Sequence, residues 1–173
     1  MSNRSDRGFT LIELLIVVAI ISLLAAIATP GLLRARMTGN EASAIASLKI
    51  TTTGQVAYSA ACGDGGYAAS YVVLATPITP GGPGFISEDL GGAILPQKTG
   101  YQFNLGPGAG AGAGPTDCNG VATTTKYYAS AIPLAFSTTG TRSFAVATDG
   151  SIWQINLATA PTEPLGPPAT PIQ

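Results

Sequence analysis

The chain has 173 residues, of which 10% are charged, and its formal net charge is −1. At about 150 residues per domain, this length allows one modest globular unit with additional segments and excludes two large domains. The eight Lys and Arg residues are scattered, so the sequence has no basic patch that could neutralise the phosphates of a nucleic acid. The chain has no His and two Cys, so the usual zinc and haem sites and His-assisted catalysis lack their side chains. We expect neither an enzyme nor a bound cofactor.

A long apolar segment lies near the amino terminus. Residues 9–33 carry one charge, Glu13, and as a helix they would extend about 37 Å, enough to cross a hydrocarbon core of about 30 Å. Burying a helix that is apolar on every face requires a large domain, and only about 140 Gly-rich residues follow. We therefore expect residues 9–33 to span a membrane rather than to form a soluble core.

A cleavable secretory signal peptide is the alternative for the same segment. Arg4 and Arg7 precede the apolar residues, and Ala26-Ile27-Ala28 matches an A-x-A cleavage pattern. Glu13 argues against it, because a carboxylate in the membrane is costly and a disposable export signal gains nothing from it. Glu13 either snorkels to the headgroups or has a cationic partner, and Pro30, which removes one helical N–H, predicts a kink or local melting.

The residues at the start of the segment carry a specific motif. Gly8-Phe9-Thr10-Leu11-Ile12-Glu13 follows a short basic leader and resembles the class III signal of type IV prepilins and type II secretion pseudopilins. The resemblance implies that a prepilin peptidase cleaves after Gly8 and methylates the new amino group of Phe9. An acid buried among apolar helices needs a cation to offset its desolvation, so we expect Glu13 to pair with the Phe9 ammonium of another subunit. Pro30 matches a helix-breaking proline of many family members.

The resemblance also implies the fold and the organisation of the chain. We expect an α+β pilin-like fold, in which a long amino-terminal helix packs on a small antiparallel β-sheet. The expected parts are a leader (1–8), a transmembrane or filament-core helix (9–33), a globular head that includes the rest of the helix (34–157) and a Pro-rich tail (158–173). The implied partners are other pilin subunits, the prepilin peptidase, an assembly platform with its ATPase, and inner-membrane lipid. No nucleic acid is required.

The helix is predicted to continue to about Ala61 and to end at the glycines after Cys62. Its apolar residues recur at three- and four-residue steps, which predicts one face on a sheet while Lys49 and Glu41 stay in solvent. The repeating pattern runs through Met37, Glu41, Ile45, Leu48, Thr52 and Val56.

Loops and strands are predicted for the rest of the head. Residues 63–98 are expected to form a loop with a short helical turn at 88–93. Alternation predicts a strand at 101–105 with Tyr101, Phe103 and Leu105 on one face, and a second strand at 126–132.

Two biased segments are expected to lie outside the sheet. Residues 106–114, GPGAGAGAG, predict a flexible solvent loop, because the Lys-Ser or Lys-Thr pair of a nucleotide-binding loop is missing. The tail, residues 158–173, contains five prolines and is expected to be extended and unable to pair in a sheet.

The carboxy-terminal strands are predicted to form a hairpin around Asp149-Gly150, a signal for a two-residue type I′ turn. This register pairs Val146 with Trp153 and Phe144 with Ile155, and their common face would pack on the helix stripe of Ile45, Leu48 and Val56. The opposite face is small or polar, which suits a sheet covered on one side only.

The two cysteines and the acids have simple interpretations. Two cysteines in an exported domain usually pair, so we expect a Cys62–Cys118 disulfide, with two free thiols as the alternative.

Although major type II pseudopilins carry a calcium site, the loop acids here form no dense Asp and Asn run, and we assign no metal. These acids are Asp64, Glu88, Asp89, Asp117 and Asp149.

Three functions fit these features. The leading hypothesis is a structural subunit of a type IV pilus-like filament, located in the inner membrane before assembly and in an extracellular pilus afterwards. The second is a pseudopilin of a type II secretion system, which forms a periplasmic filament. The third is a secreted binding module cleaved after Ala28. Amino-terminal sequencing separates the third, because it would find Thr29 instead of methyl-Phe9.

We predict that Gly8→Glu blocks removal of the leader, because the peptidase requires a residue without a side chain at the cut. The variant should accumulate as a membrane form of higher mass, measured by gel mobility and mass spectrometry. A mobility shift on processing like that of the unchanged protein would contradict this.

Overall fold

The computed structural model describes residues 9–172, and the leader with Gly8 lies outside the described residues. The chain divides into two compact units, with the boundary between Arg36 and Met37. Helix α1 (Leu11–Ala61) begins in the first unit and ends in the second. As predicted, the helix ends just before Cys62.

The described part of the first unit is helical from Leu11 to Arg36, and its large apolar side chains are exposed in the single chain. α1 is long and apolar enough to cross a membrane, and none of its most apolar 18-residue stretch is buried in the single chain. The local melting predicted at Pro30 is wrong for the single chain, because α1 is helical on both sides of this residue. A proline removes only one N–H donor, and the remaining hydrogen bonds maintain the helix.

The second unit contains the predicted antiparallel sheet. Two short helices, α2 (Tyr71–Ala75) and α3 (Glu88–Gly91), precede it, and only the second of these is predicted by the sequence. Six strands form the main sheet in the order β1-β2-β5-β6-β7-β8, and β3 and β4 form a separate pair. The strands are β1 (Gln97–Lys98), β2 (Tyr101–Pro107), β3 (Ala113–Thr116), β4 (Ala122–Thr124), β5 (Tyr127–Pro133), β6 (Ser143–Ala147), β7 (Ile152–Ile155) and β8 (Thr170–Pro171).

The core lies between α1 and one face of the main sheet. The predicted face of β2 is confirmed, since all three of its apolar side chains are buried, and aromatic side chains of β5 and β6 extend this core. Most of the large side chains in this core belong to the sheet. The sheet contributes Tyr101, Phe103, Leu105, Tyr127, Phe144 and Val146, and the helix contributes Ala44, Leu48 and Tyr58.

The predicted helix face is partly wrong. Val56 is 59% exposed, whereas Glu41, predicted to stay in solvent, is only 5% exposed. The buried face continues instead through Thr51 and Gln55, because the Gln55 amide bonds both backbone groups of Ala68 at 2.8 and 2.9 Å. Polar residues with backbone partners are therefore part of the packed face.

The hairpin register is wrong by one residue. Val146 pairs with Ile152 and Ala145 with Trp153, so Trp153 lies on the face away from the core and is half-buried. The Gly150 N–H bonds the Ala147 carbonyl at 2.9 Å, and Gly150 has φ +77°. Glycine therefore occupies the fourth position of the turn, as in a type I turn followed by a left-handed residue, and not the second central position of a type I′ turn.

The Pro-rich tail pairs with the sheet, contrary to prediction. β8 lies against β7, and the Ile172 N–H bonds the Ile152 carbonyl at 2.8 Å. Pro171 is tolerated because β8 is an edge strand. Residues 157–169, named here the carboxy-terminal strap, lie on the outer face of the sheet, where Ser143 Oγ donates to the Leu157 carbonyl at 2.6 Å and Tyr128 Oη donates to the Pro161 carbonyl. The sheet is therefore covered on both faces.

The Gly-rich segment 106–114 is only partly a loop. Its first residues belong to β2, and its last residues begin β3, which pairs with β4. The prediction of a wholly flexible solvent loop is wrong at both ends, because the segment extends into paired strands.

We predict that Phe144→Ala lowers the free energy of unfolding by about 3–5 kcal/mol, because the ring is fully buried in the core. Phe136→Ala is the matched control and should cost less than about 1 kcal/mol, since Phe136 is 41% exposed. Urea unfolding of the full chain in detergent measures both. Equal effects of the two substitutions would contradict the assignment of the core.

The predicted disulfide is confirmed. Cys62, which follows the last residue of α1, is bonded to Cys118, and their Cα atoms lie 4.8 Å apart. The Cys118 N–H also bonds the Cys62 carbonyl at 2.8 Å. The bridge therefore fastens the β3–β4 connection to the end of the helix.

We predict that the double change Cys62→Ser with Cys118→Ser lowers the unfolding free energy by about 4 kcal/mol, because the bridge closes a long loop. Urea unfolding measures this loss. Thiol labelling of the denatured unchanged protein provides the control, and equal labelling before and after reduction would show that no bridge exists.

Candidate processing and assembly site

The first turn of α1 contains a closed hydrogen-bonded cap. Thr10 precedes the helix, and its N–H and hydroxyl donate to Glu13 Oε2 at 2.9 and 2.7 Å. In return, the Glu13 N–H donates to Thr10 Oγ1 at 3.3 Å. This reciprocal arrangement is a capping box, in which two N–H groups that the helix cannot satisfy find side-chain acceptors.

The sequence analysis did not identify this role of Thr10. The signal was present, because Thr10-Leu11-Ile12-Glu13 has the T-x-x-E spacing of a capping box before an apolar run. The same glutamate that marks the processing motif therefore also defines where the helix begins.

The cap uses one oxygen of the Glu13 carboxylate. Both bonds from Thr10 end on Oε2, and neither involves Oε1. The Phe9 side chain is 83% exposed. A carboxylate at a helix amino terminus is also stabilised by the positive end of the helix dipole.

The predicted site residues do not form one cluster. Phe9 and Glu13 lie at the start of α1, whereas Pro30 follows Glu13 by 17 residues, about 26 Å along a helix. Cys62 and Cys118 belong to the second unit. Glu13 and Pro30 therefore have separate roles.

A second polar site surrounds the disulfide. Asp117 Oδ2 accepts a 2.6 Å hydrogen bond from Tyr58 Oη, and Oδ1 accepts from the N–H groups of Asn119 and Val121 at 2.9 and 2.7 Å. Burial alone would raise the pKa of Asp117, but these hydrogen bonds outweigh it and lower the pKa. Burial and the Asp117 partner raise the pKa of Tyr58. Asp117 thus has a structural role in ordering the loop that carries Cys118.

No candidate metal site is visible between residues 9 and 172, where no three Asp, Glu or Cys side chains lie close enough to hold an ion. Among the loop acids, Asp117 is buried and hydrogen-bonded.

Comparisons with known proteins identify the amino-terminal segment. Residues 3–29 match the family described as the prokaryotic N-terminal methylation motif. The chain is 46% identical over 56 residues to the type IV major pilin protein PilA of Myxococcus xanthus, which covers 32% of this chain and 26% of that protein. It is 60% identical over 38 residues to the type IV wide pilus major component PilA4 of Thermus thermophilus, covering 22% of this chain and 29% of that protein.

The similarity is local. The chain matches between a quarter and three tenths of the length of these curated relatives, and no solved structure matches it. The motif includes Gly8, Phe9 and Glu13, and the long helix on an antiparallel sheet is the fold that the motif predicts. The amino-terminal segment therefore carries the prokaryotic N-terminal methylation motif, and over this part the chain is similar to type IV pilins.

Proposed function

We propose that this chain is a structural subunit of a type IV pilus-like filament and catalyses no reaction. It is inserted in the inner membrane, cleaved after Gly8, methylated at Phe9 and polymerised through the apolar part of α1. The observation that carries the proposal is a capped carboxylate, Glu13, in the first turn of a helix whose large apolar side chains from Leu11 to Leu33 are all exposed in the single chain.

Water is an unfavourable environment for this helix. Each large apolar side chain gains about 1.5–3 kcal/mol when it is fully buried, and α1 carries such exposed side chains from Leu11 to Leu33. Lipid covers them before assembly and neighbouring helices cover them in a filament. A pilin in either environment has these residues buried.

Cleavage makes the role of Glu13 more specific. The new ammonium at Phe9 would lie next to the positive end of the α1 dipole, which disfavours a cation there. The carboxylate of a neighbouring Glu13 offsets both that repulsion and the desolvation of the two charges. A neighbour displaced along the filament would leave both charges unpaired, so the pair also sets the register.

The implied partners are other pilin subunits, a prepilin peptidase, and an inner-membrane platform with an assembly ATPase. We favour a pilus over a type II secretion pseudopilus, because both similar proteins are named as pilus components. The continuity of α1 through Ala28 supports cleavage after Gly8 over cleavage after Ala28.

We predict that Glu13→Gln is inserted and cleaved but reduces sheared filament more than about 100-fold, since an unpaired buried charge costs about 3–5 kcal/mol. Glutamine keeps an oxygen for Thr10, so the helix cap is retained. Filament yield by electron microscopy and amino-terminal sequencing of the membrane fraction are the measurements.

Glu88→Gln is the control for Glu13→Gln, because it neutralises an exposed carboxylate outside the apolar segment. It should form filaments in unchanged amount. Normal filament yield from Glu13→Gln would sink the proposed charge pair, and Thr29 as the first mature residue would sink the filament function.

A further inference from the structure

A buried ion pair links α1 to the sheet near the start of the second unit. Glu41 is 5% exposed, and its Oε1 accepts hydrogen bonds from the Thr141 N–H at 2.8 Å and the Thr141 hydroxyl at 3.0 Å. Its Oε2 accepts from Arg142 Nε at 2.8 Å and forms an ion pair with Arg142 Nη2 at 2.7 Å. The carboxylate thus has four donors, two of them on a guanidinium fork.

The arginine is itself fixed from the sheet. Arg142 Nη1 donates to Gln154 Oε1 at 2.7 Å, and the guanidinium lies over the Phe144 ring, 5.5 Å from its centre. We name Glu41, Thr141, Arg142 and Gln154 the Glu41 clamp. It joins one turn of α1 to β7 and to the connection between β5 and β6.

Two further bonds support the clamp. Asn40 Nδ2 donates to the Thr139 carbonyl at 2.9 Å, and Thr99 Oγ1 donates to Ser43 Oγ at 2.9 Å. Gly100 allows this approach, because it has φ +76° and a Cβ there would lie 2.9 Å from the Thr139 side chain. Residues 40–43 therefore make directional contacts with two separate segments of the chain, one at Thr99 and one at residues 139–142.

Stability alone does not explain this ion pair. It contributes little net stability compared with apolar side chains of similar volume, because the buried carboxylate loses its hydration and the guanidinium, on a side chain that is 33% exposed, loses part of it. Hydrophobic contacts are non-directional, and several neighbours on the buried helix face are small or polar, such as Ala44, Ser47 and Thr51. Near residue 41 these side chains resist sliding and rotation of α1 weakly, whereas a four-donor carboxylate resists both. Further along α1, the two Gln55 bonds to Ala68 act in the same way.

We propose that the Glu41 clamp is a positioning device, which sets the axial and rotational position of α1 on the sheet so that every subunit presents its head in the same way. This inference rests on the proposed filament function. The apolar residues and Glu41 belong to the same helix. If the position of α1 on the sheet varied between subunits, the positions of the heads along a polymer would vary too. Glu41 and Arg142 are positioning residues, whose loss should affect regularity more than stability.

The test replaces the pair by apolar residues of similar size, Glu41→Leu with Arg142→Met, in the full chain. Amide exchange by mass spectrometry in detergent should be at least about tenfold faster for residues 37–48 than in the unchanged protein. The thermal midpoint and the disulfide should be retained. Filaments of the variant should be fewer or show a spread of helical rise and rotation by cryo-electron microscopy.

Asp89→Asn with Lys98→Met is the matched control, because it breaks a similarly short ion pair, 2.6 Å, between partly exposed side chains that do not belong to the Glu41 clamp. It should leave exchange at 37–48 and filament geometry unchanged. Glu41→Gln is the conservative second variant, since it keeps acceptor and donor atoms without the charge. Its amide exchange at residues 37–48 should be faster than in the control and slower than in the apolar variant.

Three results would overturn the inference: unchanged exchange at residues 37–48, filaments of normal yield and helical parameters from the apolar variant, or global unfolding of that variant, which would make the clamp a stabilising element. Failure of the unchanged protein to form filaments would refute the proposed function instead. The exchange measurement on the single chain would still decide whether the clamp positions α1.

Discussion

Keeping the apolar half of α1 away from water is the constraint on which the rest of the molecule depends. Between Leu11 and Leu33 the large apolar side chains are 44–81% exposed in the single chain, and in the proposed filament subunit lipid or neighbouring helices cover this surface. A charge is costly in that environment. Glu13 is retained there, and the Thr10 cap satisfies part of its hydrogen-bonding capacity within the chain. A carboxylate that is half satisfied inside its own chain is suited to a partner from another.

The second half of the same helix has a different environment. It packs on a sheet, and apart from Leu48 its buried face consists mainly of small or hydrogen-bonded side chains, while most of the large core residues belong to the sheet. Gly54 lets the connection between α2 and α3 approach the helix closely, because a Cβ at this position would lie 2.9 Å from the Phe85 carbonyl oxygen. Aromatic pairs such as Tyr101 and Phe144, 5.9 Å apart, fill the space that small helix residues leave.

Directional links then hold this packing in place. The disulfide fixes the end of α1, the Glu41 clamp fixes its entry into the second unit, and the carboxy-terminal strap covers the outer face of the sheet. The strap also explains why Ser143, Ala145 and Ala147 on β6 are small, since a segment rich in proline lies over this face. Each link joins parts of the chain that are far apart in sequence.

The sequence by itself determined the features that depend on local patterns. The apolar run predicted the helix, the motif from Gly8 to Glu13 predicted the family, alternation predicted β2 and its buried face, and cysteine number predicted the disulfide. These features need only periodicity, a short motif or a count. The local melting predicted at Pro30 is wrong, because the helix continues on both sides of the single missing N–H.

Tertiary structure alone decided the features that depend on which distant residues meet. Glu41 is buried only because Thr141 and Arg142 supply four donors from about 100 residues away in the chain, and no local pattern encodes that. The tail pairs with β7 because the edge of the sheet is open there. The turn at Asp149-Gly150 is longer than predicted because the pairing of β6 with β7 sets the register. Local sequence patterns thus determine where most helices and strands form. The contacts between these elements determine which face is buried, how the strands are paired and which groups bond a buried charge.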